Sequence, residues 1–172
     1  AKNLKIITVG LTDDCDVKIY ENTIKIYDKE YSLGTEFIPQ HLKIDMALAL
    51  AAVYDLGENV EAAVGVLTKF QSLTGRGETF TGKIQPNRTI TLVDESYNAN
   101  PLSMKATLLA FGEKYKDKNK VLILGDMAEG GQHTLKQHLE LIPVIREVHP
   151  EKILLTGETM KEVWDMIKPE FK

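Results

Sequence analysis

Three short polar loops contain the residue types that could do chemistry in this chain of 172 residues. Each follows an apolar run: residues 94–101 (Asp-Glu-Ser-Tyr-Asn-Ala-Asn-Pro), 125–131 (Gly-Asp-Met-Ala-Glu-Gly-Gly) and 156–158 (Thr-Gly-Glu). Because ligands bind beyond the carboxyl ends of strands in an open parallel sheet, these loops are the first candidates for a site. In the first loop, Asn100 and Pro101 predict a helix start whose backbone amides would form an anion receptor.

Each candidate residue also has a purely structural interpretation. Asn98 and Asn100 could cap the helix that follows them, and Asp126 could cap the segment after it. Arg76 stands between two glycines and could be an exposed linker charge paired with the glutamate two places later. His138 shares a helix face with leucine and isoleucine, where histidine is more often structural than catalytic. The residues alone leave these alternatives open.

Several common catalytic and metal sites have no counterpart in the sequence. It contains no Gly-x-x-x-x-Gly-Lys-Ser/Thr loop and no legible Ser/His/Asp set. Cys15 is the only cysteine, which excludes an internal disulfide and a cysteine-based zinc site and fits a reducing compartment. The Asp-Asp-Cys-Asp run at residues 13–16 lacks the glycine and the distal glutamate of a calcium loop, so it predicts a turn. We therefore expect no metal site formed by this chain.

The charge balance argues against a nucleic-acid partner. Lysine and arginine number 21 against 25 acidic residues, which gives a net charge of −4 and a pI near 5.6. The most basic stretch, residues 114–120, predicts a solvated helix end and not a phosphate-binding face. The longest nearly apolar stretch, residues 44–56, is too short to cross a membrane, and the amino terminus does not resemble a signal peptide. We expect a cytoplasmic protein without membrane insertion.

From residue 80 onward, apolar strand-like runs alternate with helical patterns. The predicted strands are 89–93, 121–124 and 153–155, and the predicted helices are 102–111, 135–148 and 160–167. Pro143 should kink or split the second of these helices. The alternation predicts an α/β fold, with an open, mostly parallel sheet and helices on both faces.

The first half has a different pattern. Its predicted strands are 5–9, 17–20 and 24–27, and its predicted helices are 44–53 and 60–70. Residues 71–81 contain two glycines and show no apolar periodicity, which is typical of an interdomain linker. The hairpin and helix pair do not obviously close a core, and the first helix is apolar on nearly every side. We therefore expect a piece of a larger body.

Several stretches resemble the signature elements of the Mur ligase family. Residues 94–104 (Asp-Glu-Ser-Tyr-Asn-Ala-Asn-Pro-x-Ser-Met) are similar to the Asp-Asp-Ser-Tyr-Asn-Ala-Asn-Pro run of the members that join D-alanyl-D-alanine to UDP-N-acetylmuramoyl-tripeptide. Residues 124–129 (Leu-Gly-Asp-Met-Ala-Glu) resemble the family's Gly-Asp-Met-x-Glu-Leu-Gly element, and Thr134 and His138 stand where a Ser/Thr and a His follow it. Gly75-Arg76 matches an arginine at the junction of two family domains.

The resemblance also shows departures. The family's phosphate loop, its amino-terminal UDP-sugar domain and a final Gly-Ser-Arg strand are not in this sequence. Residues 42–46 (Leu-Lys-Ile-Asp-Met) replace a His-Asn-x-x-Asn run, and Gly130 replaces a leucine. The resemblance thus implies an inactive fragment. Its expected parts are the end of a central ATP-binding domain (1–74), a hinge (75–79) and most of a Rossmann-like carboxyl-terminal domain (80–172).

For the complete enzyme the resemblance implies ATP-dependent amide ligation in cell-wall precursor synthesis. The tripeptide carboxylate would take the γ-phosphoryl group of ATP, with Mg²⁺ bound mainly by parts absent from this chain. The amine of D-alanyl-D-alanine would then displace phosphate from the acyl phosphate. A monomer is expected. The implied roles are nucleotide binding by Arg76, Asp94 (or equally Glu95), Tyr97, Asn98 and Asn100, and catalysis beside the dipeptide by Asp126 and His138.

Two other functions remain open from the sequence. A paralogous ligase on the same scaffold could join a different amine to a different carboxylate, which only amine specificity would reveal. A non-catalytic nucleotide- or ligand-binding module could have lost the phosphate loop. For that alternative, the discriminating observation is whether the reading frame extends upstream of residue 1 by roughly 250 residues.

Overall fold

The computed structural model describes residues 4–70, 73–128 and 130–170. The chain divides into two compact units, residues 1–71 and 72–172. The elements of the first unit are β1 (Val9–Gly10), β2 (Val17–Ile19), β3 (Thr23–Ile26), β4 (Lys29–Ser32), α1 (Gln40–Asp55) and α2 (Val60–Leu67). Those of the second are β5 (Glu78–Gln85), β6 (Arg88–Asp94), α3 (Pro101–Lys114), β7 (Val121–Gly125), α4 (Thr134–Leu139), α5 (Ile142–Val148), β8 (Lys152–Thr156) and α6 (Glu158–Ile167).

The first unit has its own hydrophobic core. β2 and β3 pair antiparallel, with Val17 opposite Ile26 and Ile19 opposite Ile24, so alternation along both strands brings these four buried side chains to one face. Leu50 of α1 is fully buried in the same cluster. The expectation that this half does not close a core is therefore wrong.

Several elements of the first unit differ from those predicted. Of the predicted strand 5–9, only Val9 lies in a ladder, as part of the short β1 that pairs parallel with β2. Leu4 and Ile6 lie outside the ladder and are 86% and 80% exposed. A strand persists only where a neighbour forms hydrogen bonds with its backbone N–H and C=O groups. β4 was not predicted. α1 begins four residues earlier and ends two residues later than the predicted 44–53, and α2 ends three residues earlier than expected, at Leu67.

The second unit contains an antiparallel hairpin, β5–β6, and a parallel pair, β7–β8. Leu122 and Leu124 of β7 enter the core formed with the helices, whereas Ile123 on the opposite face is 69% exposed. Within the described residues, helical cover is thus seen on one face of β7. The α/β fold class predicted from the sequence is confirmed, since short parallel strands alternate with helices.

Two details of the second unit follow from local chemistry. The predicted helix 135–148 is split into α4 and α5, and Pro143, which has no N–H to donate, stands in the first turn of α5. The predicted linker 71–81 is too long, because β5 begins at Glu78. Phe80 lies opposite Leu92 and Thr81 opposite Thr91, and these β-favouring cross-strand pairs outweigh the glycines nearby.

The longest helix among the described residues, α1, has 16 residues. No helix in this part of the chain combines the length and the apolar character needed to span a bilayer.

Candidate functional site

The base of the β5–β6 hairpin brings three of the predicted nucleotide-binding residues together. The backbone N–H of Gly77 donates to the carbonyl of Asp94 at 2.8 Å, and that of Tyr97 donates to the carbonyl of Gly75 at 3.0 Å. The guanidinium carbon of Arg76 lies 4.0 Å from the centre of the Tyr97 ring, within cation–π range. Arg76, Asp94 and Tyr97 thus form one cluster, which we call the hairpin-base cluster.

Gly75 is required for this arrangement. Its φ of +72° lies in the left-handed region, and a β-carbon there would come within 3.0 Å of the backbone and side chain of Tyr97. The ion pairs found among the described residues do not include Arg76, so the interpretation of Arg76 as one half of a linker ion pair finds no support in the described part of the chain. Its guanidinium is stacked, exposed and available to an anion.

The two acids at the end of β6 differ in their environments. Hydrogen bonds from Ser96 hold the pKa of the Asp94 carboxyl below its ordinary value, and the backbone N–H of Ser96 donates to Oδ1 of Asp94 at 3.0 Å. Partial burial, together with the neighbouring charge of Asp94, raises the pKa of Glu95. Of the two acids, Asp94 is therefore the one that stays ionised to lower pH.

Asn100 is a helix cap. Its Oδ1 accepts the backbone N–H groups of Leu102 and Ser103 at 3.0 and 2.9 Å, and Oγ of Ser103 accepts the N–H of Asn100 at 3.2 Å. With Pro101 in the first position, this is a capping box at the start of α3. The expectation of an anion receptor built from these amides is wrong for this conformation, because the amides are already satisfied.

Asn98 is bonded only locally through its oxygen. Its Oδ1 accepts the N–H of Ala99 at 2.9 Å, and the side chain is exposed. Unlike Asn100, Asn98 does not bond to α3 through this oxygen. It remains a candidate contact for a phosphate through its Nδ2 group.

Asp126 follows β7 and caps a helix far along the chain. Its Oδ1 accepts the N–H of Met160 at 2.7 Å and its Oδ2 that of Thr159 at 3.2 Å, in the first turn of α6. The side chain is 33% exposed. The capping interpretation of Asp126 is therefore right in kind, but the capped helix is α6 and not the next segment.

Gly157 allows Asp126 to approach α6. Its φ is +116°, and a β-carbon on Gly157 would overlap the Asp126 carboxylate. Sequence reasoning noted the Thr-Gly-Glu loop without giving this glycine a role. The available signal was a glycine placed directly before a helix.

His138 is fully buried, and both of its ring nitrogens are bonded. Nδ1 lies 2.7 Å from the carbonyl of Thr134, and Nε2 lies 2.8 Å from the backbone nitrogen of Met127. Nε2 is also 3.7 Å from Oδ1 of Asp126, beyond hydrogen-bond distance. The resemblance implied catalysis by His138 beside the dipeptide, but in this conformation both ring nitrogens are engaged by backbone groups and the ring is closed off from solvent. Asp126 and His138, with the first turn of α6, form a second cluster, the β7-end cluster.

Gly130 in the same loop is also closely packed. A β-carbon there would overlap Thr134 and Gln137, so the glycine in place of the family's leucine suits the local packing. Glu129, which belongs to the quoted Gly-Asp-Met-x-Glu element, lies outside the described residues.

The described residues bring no three His, Cys, Asp or Glu side chains close enough together to hold a metal ion. The donor set in the described part of the chain therefore does not fit a resident Mg²⁺.

The second unit matches a known protein family. The family model described as "Mur ligase, glutamate ligase domain" matches residues 75–171, more than half of the chain. The chain belongs to the Mur ligase family.

The chain is also similar to two curated proteins that share one name. The chain is 32% identical over 142 residues to the UDP-N-acetylmuramoyl-tripeptide–D-alanyl-D-alanine ligase of Rickettsia prowazekii, covering 83% of this chain and 30% of that protein. It is 30% identical over 122 residues to the Escherichia coli enzyme of the same name, covering 70% and 26%. The chain thus spans less than a third of the length of these relatives.

Solved structures show the same fold. MurF from Acinetobacter baumannii superposes with a TM-score of 0.72 at 20% identity, covering 96% of this chain and 41% of that one. MurF ligase from Thermotoga maritima in complex with ADP gives a TM-score of 0.64 at 18% identity, covering 96% and 42%.

Proposed function

We propose that this chain is the nucleotide-closing part of an ATP-dependent ligase that joins D-alanyl-D-alanine to UDP-N-acetylmuramoyl-tripeptide. The similarity to ligases of that name supports the substrates. The observation that carries the nucleotide role is the hairpin-base cluster, in which a stacked, exposed arginine stands beside a carboxylate that stays ionised. The proposal includes a cytoplasmic location and a monomer.

In this proposal the hairpin-base cluster binds the nucleotide. Arg76 neutralises phosphate charge, with its plane fixed by stacking on Tyr97, and Asp94 accepts a hydrogen bond from a ribose hydroxyl. Because the amides at the start of α3 are taken by Asn100, phosphate contacts come from side chains such as Arg76 and Asn98. Asn100 acts on the nucleotide only indirectly, by fixing the end of the loop.

The β7-end cluster faces the incoming amine in the same proposal. The Asp126 carboxylate is partly exposed and retains lone pairs beyond those used by the two α6 amides, so it can attract an ammonium group and accept its proton. The reaction joins a carboxylate and an amine through an acyl phosphate, in which the protein mainly positions groups and neutralises charge. Closure of this part of the ligase over the nucleotide would keep water from the acyl phosphate.

The test is phosphate release by the natural-length protein containing this chain, with ATP, magnesium and UDP-N-acetylmuramoyl-tripeptide. We expect release that depends on D-alanyl-D-alanine and falls at least about tenfold in an Arg76→Ala variant. Release with another amine would identify a paralogous ligase. No release with any amine would overturn the proposal in favour of a binding module. The chain of 172 residues alone is expected to be inactive and to bind ATP much more weakly than the natural-length protein, by calorimetry.

A further inference from the structure

The ring of His138 joins two backbone segments of the β7-end cluster. It accepts from the N–H of Met127 in the loop after β7 and contacts the carbonyl of Thr134 in the first turn of α4. A carbonyl can only accept and a backbone N–H can only donate, so Nδ1 must carry the proton and Nε2 must not. The two contacts therefore fix one neutral tautomer of His138.

The bond to Met127 also determines where the Asp126 carboxylate lies. Met127 is the next residue after Asp126, so anchoring its N–H holds the backbone on the carboxyl side of Asp126. From there both carboxylate oxygens reach the amides of Thr159 and Met160. Within the described residues every buried side-chain nitrogen or oxygen has a partner, so the cluster has no orphaned polar atom that would favour another rotamer.

We propose that His138 is a positioning residue that holds Asp126 in place for the ligation step and does not itself touch the reactants. The proposal rests on the proposed function. In its Nδ1–H form, His138 anchors Met127 through an unprotonated Nε2. The Asp126 carboxylate, whose Oδ1 lies 3.7 Å from Nε2, therefore stays bonded to α6 and does not pair with a charged imidazolium. A displacement of about 1 Å at such a group can lower turnover about 100-fold.

The first test is spectroscopic and needs no substrate. Nitrogen-15 NMR of the chain of 172 residues should show one buried histidine with a protonated Nδ1 and an unprotonated Nε2, coupled across the hydrogen bond to the Met127 amide. A protonated Nε2 at neutral pH would overturn the anchoring.

The second test compares three variants in the natural-length protein. His138→Gln places an oxygen near the position of Nε2 and can still accept from Met127, whereas His138→Asn reaches only Thr134 and His138→Leu reaches neither. We expect His138→Gln to keep kcat within about fivefold, and the other two to lose about 10- to 100-fold in kcat with the KM for ATP unchanged. His133→Gln, an exposed position in the adjacent turn, is the matched control and should behave like the parent.

Each other outcome contradicts the proposal. If His138→Gln is as inactive as His138→Leu while remaining folded, the imidazole transfers a proton and is catalytic. If all three variants lose thermal stability but keep kcat, the residue is only structural. If the parent has no ligase activity while the NMR signature is present, the proposed function fails and the positioning role fails with it, but the tautomer and the anchoring stand.

Discussion

Oδ1 of Asp126 accepts the backbone N–H of Met160 at 2.7 Å, and this bond connects the end of β7 to the first turn of a helix 34 residues further along the chain. The first turn of a helix has amides without intrahelical partners and a partial positive charge, so a carboxylate stabilises it. Here that carboxylate comes from a neighbouring parallel strand. The β7-end cluster therefore depends on helix amides that the chain satisfies with its own side chain.

Replacement of Gly157 by alanine should destabilise the second unit. The β-carbon would overlap the Asp126 carboxylate and force an unfavourable positive φ, so we expect a loss of about 2 kcal/mol or more. Trp164 packs against the core of this unit, and its fluorescence during urea unfolding is the measurement.

Gly82→Ala is the matched control for this substitution. Gly82 lies inside β5 of the same unit with open space around its α-carbon, so alanine should be neutral or stabilise the strand by about 0.5–1 kcal/mol. Equal midpoints for the Gly157→Ala variant and the parent would show that Asp126 does not depend on this glycine.

Substitutions of Asn100 separate capping from nucleotide binding. Asn100→Ala removes the bonds to Leu102 and Ser103 and should cost about 1 kcal/mol of stability. Asn100→Asp restores the cap, and its negative charge is favourable at a helix start, so most of the stability should remain. If phosphates lie near this loop, the aspartate variant should still bind nucleotide more weakly. Thermal melts and calorimetry measure the two effects, and equal melting temperatures for the alanine and parent proteins would argue against the cap.

Stacking of Arg76 on Tyr97 should contribute to nucleotide affinity in the natural-length protein. Tyr97→Phe keeps the ring and should bind like the parent, whereas Tyr97→Leu should weaken binding about two- to fivefold, which corresponds to an exposed cation–π contact. Arg76→Lys keeps the charge but loses the planar guanidinium, which can stack on a ring and donate two hydrogen bonds to one phosphate, so it should also weaken binding. Titration calorimetry with ATP is the assay. Identical affinities for the leucine and phenylalanine variants would mean that the ring has no part in holding Arg76.

The first unit should lose stability in acid through Asp16. The backbone N–H and the hydroxyl of Thr8 donate to the Asp16 carboxylate, and these bonds lower its pKa in the folded state. A lowered folded pKa contributes stability that is present above the unfolded pKa and is lost as the pH falls through the folded value, below about pH 4. Hydrogen exchange of the β2 and β3 amides measures this loss.

Asp16→Asn should flatten that dependence on pH, because the amide does not titrate. The exposed Asp28 provides the control, and Asp28→Asn should leave the profile unchanged. A parent profile that stays flat to pH 3 would contradict the role assigned to Asp16.

Elements with a strong local signal could be predicted from the sequence. A nearly continuous apolar run located α1, and apolar spacing located α3 and α6. The Asn-Pro pair at residues 100–101 marked the start of α3. β5 could not be predicted in the same way. Its residues near the glycines gain their extended conformation from pairing with β6, which the local sequence does not reveal.

The candidate site could be predicted by residue but not by role. The loops were identified because they follow apolar strands, yet the bond between Asp126 and Met160 spans 34 residues and has no local signature. The burial of His138 depends on how α4 packs against the loop after β7, which the helical pattern around it did not show. For Asn100, by contrast, local chemistry was sufficient, because a capping box involves only neighbouring residues.

The turn of the β5–β6 hairpin lies far from the cluster at its base. β5 is eight residues long, so the exposed turn at Pro86 and Asn87 stands roughly 25 Å from the hairpin-base cluster. A peptide epitope or a fluorophore-bearing loop spliced between these two residues would sit at a surface where added length is well tolerated. The turn is therefore an attachment point from which a reporter could follow the protein without disturbing Arg76, Asp94 or Tyr97.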